Sequence, residues 1–308
     1  MKRFIITVDT EGDNLWEWKP GNRITTNNAS YTDRFQTLCE QYHFQPVYLI
    51  NYEMVMDSSF ANYISKKAKE NKCEIGMHLH AWNSPPAYDL PRQFGGLPYL
   101  TEYPGDIQEN KLRYLKKLIL EKTDIDPVSF RSGRWATDRQ LFTMLEKNGF
   151  LVDCSVTPGI SHYRTPGQTT EHGPSYTGEK RSPYRLYGKL IEVPMTTERI
   201  RTIHGKTLKN RARNLLLGKD IWLRPAIHSA DEMIQLINTV ERAGVNHLEL
   251  MIHSSELMPG GSPYTRDRED VEKLYDRAKR VFDIIASKTA GITLKDYYEE
   301  IKASLGIS

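Results

Sequence analysis

Cysteine is scarce in this chain: its 308 residues include three, Cys39, Cys73 and Cys154. They are too few and too scattered for a disulfide framework or a thiolate zinc knuckle, and read as small buried hydrophobes. No stretch approaches the roughly 18 consecutive apolar residues of a membrane-spanning helix. The opening MKRFIITVDTEGD carries an apolar run of only about five residues before Asp9, short of a secretory h-region. A cytoplasmic protein, or one at the inner face of the membrane, is therefore expected. A strong charge of one sign is also missing: 42 Lys and Arg stand against 39 Asp and Glu, for a net charge of +3 and a pI near 8.5. That balance argues against a nucleic-acid partner. With no internal repeat and no low-complexity tract, the length fits one α/β domain over residues 1–308.

Short apolar runs rich in β-branched residues alternate with helical patterns, as in a parallel sheet. Strands are expected near residues 3–8, 46–51, 73–79, 128–131, 150–154, 190–195 and 248–253. Between them, apolar stripes predict a helix through Tyr31, Phe35, Leu38 and Tyr42, and another through Phe60 and Ile64 behind an Asp57 or Ser58 cap. Asp106 with Glu109, Thr137 with Gln140 and Ser229 with Glu232 read as helix caps. Gly149 and Gly244 read as helix stops. Helices over about 267–287 and 294–305 finish the chain. Two segments break the rhythm. Residues 83–105 and 156–189 are rich in Pro, Gly and Tyr, and are too long for idle connections, so they are expected to wall a binding site.

Parallel barrels place their chemistry at the C-terminal ends of the strands. Here the first strand ends in Asp9-Thr10-Glu11, the third in His78-Leu79-His80, the fourth in Arg131, the fifth in Asp153 and the last in His253. Asp9 and Glu11 are two apart, as are His78 and His80, so one strand phase points each pair into the same space. Two imidazoles and one carboxylate with an open position form a catalytic divalent-metal site, zinc being its commonest occupant. The remaining carboxylate is then a base, Arg131 a cation that keeps it ionised, and His253 an acid. Each residue alone has a plainer reading: a packed histidine, a turn cap or a paired strand end.

Two other features admit two readings each. Trp82, Trp135, Tyr163 and Tyr264 are either platforms for a sugar face or packing aromatics. Residues 198–225 hold eight Lys or Arg against two acids, with Leu208, Leu215, Leu216 and Leu217 interleaved. They form either a peripheral contact with anionic lipid or a solvated helix whose leucines pack on the barrel. His204 and His228 have no partner spacing and are expected to take no part in catalysis.

TVDTEGD, EIGMHLH, SFRSGRW, VDCSVTPG, IEVPM and LMIHSSE, in this order at these strand ends, resemble the NodB-homology polysaccharide deacetylases, carbohydrate esterase family four. HLHAWNSPP and HSSELMPGGSPYT are similar to its WalW-like branch. The resemblance implies a distorted (β/α)7 TIM-like barrel and metal-dependent removal of acetyl from N-acetylated sugars. It implies Asp9 as base, Glu11 and His78 as metal ligands, His253 as acid, Arg131 as the residue orienting the base, and a backbone N–H near Arg134 as part of an oxyanion hole. The chain departs from the family where Thr10 separates the two carboxylates, which leaves their roles exchangeable. Trp82 stands at the usual second histidine, with His80 as substitute, and Gly133-Arg134 replaces the Pro-aromatic pair.

The substrate implied is an N-acetylated saccharide of a cell-envelope polysaccharide or of its lipid- or nucleotide-linked precursor. A deformylase of a lipid-linked sugar and an amidohydrolase-type metallohydrolase are alternatives. The latter fits less well, because its HxH pair closes the first strand. A carbohydrate-binding barrel without turnover is a third.

Overall fold

The structure, a computed structural model, describes residues 2–203, 205 and 207–308. The strands are β1 (Arg3–Thr10), β2 (Val47–Ile50), β3 (Glu74–Leu79), β4 (Ser129–Ser132), β5 (Val152–Asp153), β6 (Tyr184–Tyr187), β7 (Leu190–Glu192), β8 (Thr197–Ile200), β9 (Lys219–Trp222), β10 (His247–His253) and β11 (Ala290–Gly291). The order β10-β1-β2-β3-β4-β5-β7 is parallel throughout, with β6 antiparallel on the outside of β7. This curled α/β half-barrel contains the seven parallel strands expected from the sequence, and the two-residue β11 adds an eighth, parallel to the start of β1. Extended segments bridge its open side, where Met251 N donates to Leu223 O at 3.0 Å and Leu223 N to Thr196 O at 3.1 Å. The β8–β9 pair forms a separate antiparallel ribbon.

Strand alternation sorts the core into two layers. Phe4, Ile6 and Val8 of β1, with Tyr48, Ile50, Ile75, Met77 and Phe130, pack outward against the helices. Ile5, Val47, Leu49, Val152 and Ile191 fill the interior, closed below by Leu294, Tyr297 and Tyr298. The polar inward positions lie above this plug.

The outer layer consists of α1 (Thr32–Gln41), α2 (Tyr52–Met56), α3 (Ser58–Lys69), α4 (Gly105–Thr123), α5 (Arg139–Lys147), α6 (Leu208–Leu217), α7 (Ala230–Arg242), α8 (Arg268–Ala286) and α9 (Leu294–Ile301). Asp57 caps α3, and Ser229 with Glu232 forms the capping box of α7. Gly149 and Gly244 follow α5 and α7 at φ +79° and +77°, which glycine adopts without steric cost. Two expected caps are corrected. Helix α4 starts at Gly105 behind Pro104, leaving Asp106 inside the first turn, and Asp138, not Thr137, caps α5 by accepting from Leu141 N at 2.7 Å. In both places a neighbouring residue supplies the helix start that the cap pattern had assigned one or two positions away. All three cysteines are buried and free. No helix among the described residues is long and apolar enough to cross a membrane.

Candidate metal centre

Register brings the chemistry-bearing residues side by side. Asp9 pairs with His253 across β1–β10, and His78 with Arg131 across β3–β4. Glu11, one residue past β1, is pinned through its backbone: its N–H donates to Ser254 Oγ at 3.0 Å and its carbonyl accepts from Asn28 Nδ2 at 2.8 Å.

Among the described residues, Glu11, His78 and His80 form a buried trio of convergent donors. His78 Nε2 lies 3.0 Å from His80 Nε2, Glu11 Oε2 lies 2.7 Å from His80 Nε2, and Glu11 Oε2 lies 3.5 Å from His78 Nε2. His78 Nδ1 is 3.0 Å from Arg131 O. A carbonyl can only accept, so Nδ1 carries a proton, and in the neutral imidazole the Nε2 lone pair faces its neighbours. A lone pair, a carboxylate oxygen and a second imidazole nitrogen in mutual contact have at most one proton to share. A divalent cation resolves that conflict. Donors bound tetrahedrally at about 2.1 Å stand about 3.4 Å apart, so the trio needs only a slight opening to accept one. The residues fit a metal.

Electrostatics separate the two carboxylates. Burial raises Asp9, but the Arg131 guanidinium, with His78 and His253 beside it, outweighs burial and holds the carboxyl below its usual range. Burial likewise opposes ionisation of Glu11, and its contacts with His78 and His80 bring it well below the usual value. Arg131 is itself buried and saturated. It donates to Asp9 Oδ1 at 2.6 Å, Thr7 Oγ1 at 3.1 Å, Cys154 O at 3.0 Å and Met195 Sδ at 3.2 Å, and also to Glu249. One cation thus serves two acids, and Glu249, penalised by burial, is pushed up to about 7. The positive charge belongs chiefly to Asp9.

From the neighbouring strand β10, His253 Nε2 stands 3.9 Å from Asp9 Oδ2 and 3.8 Å from Glu11 Oε1. Arg224 Nη2 lies 2.9 Å from His253 Nδ1 and is ion-paired with buried Glu256. Because arginine only donates, Nδ1 accepts and the imidazole proton sits on Nε2, toward the carboxylates. Burial raises Glu256, yet Arg224 and His253 bring it down to about 2.

These groups open into a cleft of about 310 Å³ lined by Asp9, Glu11, His78, His80, His253 and the rings of Trp16, Trp82 and Trp135. Trp82 packs on His80 with centroids 4.2 Å apart, and Trp16 meets His253 edge-on at 5.0 Å. Tyr264 stands behind Trp16 at 5.5 Å. Tyr163, by contrast, is exposed and stacked on His172. Arg134 also lines the cleft, but its guanidinium donates to Leu97 O and to Pro166 O, tying residues 83–105 to 156–189. Arg134 and Trp135 take φ of +59° and +67°, a costly conformation in non-glycine residues. Leu97 brings the first long segment into the cleft wall, and the second buttresses it, with Gln93 N and Phe94 N donating to Gln168 O at 2.9 Å.

Asp153 lies on the opposite strand phase from Val152 and Cys154. It is paired in register with Glu192 and accepts from Ser155 Oγ at 2.7 Å. It ends β5 and caps the turn that follows, accepting from Ser155 N at 3.4 Å, and does not line the cleft. His228 is buried beside Glu232, and His204 falls outside the described residues. Sequence reasoning missed Arg224, Glu249, Glu256 and Trp16. A signal existed for Glu249, which shares the two-residue phase of His253.

No family model and no curated protein matches the chain. Among solved structures it is similar to a protein from Mycobacterium smegmatis assigned as a polysaccharide deacetylase, at 14% identity and a TM-score of 0.59, covering 100% of this chain and 92% of that one. It is also similar to the 4-alpha-glucanotransferase of Thermococcus litoralis, at 13% identity and a TM-score of 0.53, covering 97% of this chain and 40% of that one. Likeness at these identities is a likeness of fold.

Proposed function

We propose that the chain is a divalent-metal-dependent hydrolase that removes the acetyl group from an N-acetylated sugar of a cell-envelope polysaccharide or its lipid- or nucleotide-linked precursor. On this reading it is a single catalytic barrel of the NodB-homology type, nearest the WalW-like branch. The observation that carries the reading is the convergence of Glu11, His78 and His80 beside a second, arginine-held carboxylate and opposite a histidine donor, all in one open cleft. The fold shared with the Mycobacterium smegmatis protein agrees with it.

Glu11, His78 and His80 would hold the ion. When bound, a divalent metal, zinc being the commonest in such a set, supplies Lewis acidity that lowers the pKa of water and polarises an acyl oxygen. Asp9, kept ionised by Arg131, takes the proton of the attacking water. The backbone N–H groups of the Gly133–Trp135 turn face the developing oxyanion. His253 donates from Nε2 toward the leaving nitrogen. A net transfer needs imidazolium, and Glu256 Oε1, 3.6 Å from Nδ1, is the carboxylate that stabilises it once Arg224 yields that nitrogen. Trp16, Trp82 and Trp135 supply faces on which a pyranose ring packs.

The test is acetate release from a panel of N-acetylated saccharide conjugates, with formate followed in parallel, before chelation, after it and after return of zinc. Release that stops with chelation and returns with metal is expected. Asp9→Asn should keep its metal while losing about 10²–10⁴-fold in turnover. Full activity of metal-free protein, or hydrolysis confined to cyclic amides, overturns the proposal.

A further inference from the structure

The segment between β8 and β9 bears on what the protein docks against. From 199 to 219 the chain has seven Lys or Arg and no Asp or Glu. Its leucines do not pack on the barrel: Leu208 is 82% exposed, Leu215 50%, Leu216 71% and Leu217 66%, with Ile203 nearby at 67%. No residue of α6 is buried. The packing reading of this stretch is therefore excluded, and solvent alone gives no reason for so much apolar surface on one helix turn after another.

Helix geometry shows which way this surface points. Stepping about 100° per residue, Leu215, Leu208, Ala212 and Leu216 fall in one arc roughly 100° wide. Arg211 borders that arc on one side and Lys209 on the other. Asn214 is the least exposed residue of α6, and its carbonyl accepts from Thr202 N of the preceding segment. The side of the helix that carries Asn214 is nearly opposite the middle of the arc, so Leu208, Leu215 and Leu216 face away from the body of the protein, while Leu217 lies outside the arc. An apolar arc aimed outward between basic borders is the pattern of a helix lying in a membrane interface.

We infer that α6 and its basic flanks form a docking surface for a bilayer carrying anionic lipid, with Leu208, Leu215 and Leu216 entering the interface and Arg211, Arg213 and Lys209 meeting headgroups. Opposite charge selects the lipid, and the outward leucines favour a bilayer over a nucleic acid, which offers no apolar phase. The ribbon carrying α6 is joined to the cleft wall: Trp222 of β9 packs on Trp135 at 5.5 Å, and Arg224 follows two residues later. A docked protein would hold its cleft beside the bilayer that carries lipid-linked saccharides. The docking itself rests on α6 alone and stands whether or not the chain is a deacetylase.

The experiment is co-sedimentation of the full chain with vesicles of phosphatidylcholine alone and of equimolar phosphatidylcholine and phosphatidylglycerol. Binding to the anionic vesicles only, weakened by salt, is expected. Arg211→Glu with Arg213→Glu should lower partitioning about tenfold or more, and Leu215→Ser with Leu216→Ser should do likewise through the apolar term. These side chains are exposed, so unfolding midpoints should not move, and the second pair checks the first. Absence of sedimentation, or equal binding to both vesicle types, overturns the inference. A solution dimer that the leucine pair dissociates, without vesicle binding, also overturns it and makes the face a contact between two copies.

Discussion

Replacing Arg131 by methionine removes the cation on which the proposed base depends, and its cost can be worked from the contacts. All five N–H directions of the guanidinium have an acceptor: Asp9, Thr7, Glu249, Met195 and the carbonyl of Cys154. Methionine fills the stem volume but satisfies none of them. Glu249, at about 7, holds much of its proton near neutrality and loses little. Asp9 is left as a buried charge with no partner cation. Breaking a buried pair from one side costs about 3–5 kcal/mol, and that is the expected loss in urea denaturation followed by the fluorescence of the five tryptophans.

The pH dependence identifies the cause. In the parent, Asp9 is lowered from 3.8, so its contribution is present above that value and is lost as pH falls through the lower folded pKa. Without Arg131, burial loses its chief opponent, only His78 and His253 still lower Asp9, and the folded pKa is expected to rise above the unfolded one. The variant then loses stability as pH rises, and the gap to the parent narrows below about pH 4. Adding Asp9→Asn to the variant should recover about 1.5–3 kcal/mol at neutral pH, because the amide is not charged. A loss under about 1 kcal/mol, or an Asn substitution whose effect is additive, would refute the buried ion-pair account.

Two further outcomes follow from the structure. A Cβ at Gly133 would lie 2.6 Å from His80 Nδ1 and 2.7 Å from Leu79 O, so Gly133→Ala should push His80 out of the trio. Bound metal by elemental analysis should fall at least about tenfold, with the unfolding midpoint moving much less; retention of full metal would show that His80 is not a ligand. His247 donates to Pro194 O at 2.8 Å while its buried Nδ1 has no partner, and burial lowers its pKa from 6.5 to about 4. The unfolded chain then binds the extra proton first, so stability rises with pH between those values and His247 removes about 2 kcal/mol at about pH 5. His247→Gln should flatten that part of the stability profile; an unchanged slope would place the titration elsewhere.

How far the molecule could be read from its sequence depends on how each residue reaches its place. Asp9 with Glu11, and His78 with His80, declare themselves because a strand repeats every two residues, so two polar side chains in phase at a strand end have one destination. Glu249 carried the same signal, two steps before His253, yet lay within Leu248, Leu250 and Ile252. A strand buried on both faces reads as a continuous apolar run in which one acid looks like an interruption. Asp153 shows the converse: polar, at a strand end, but one residue out of phase, and so turned toward Glu192. Arg224 had no signal, since it follows a ribbon whose path across the open side of the barrel is set by tertiary contacts with Thr196 and Met251. The leucines of α6 were ambiguous for a different reason. Their spacing specifies an apolar arc but not what lies opposite it, and only the exposure of Leu208, Leu215 and Leu216, with Asn214 the least exposed residue of α6, shows that the arc faces outward. Periodicity therefore decides which residues act together, while the partner they meet is decided by chain segments the period does not describe.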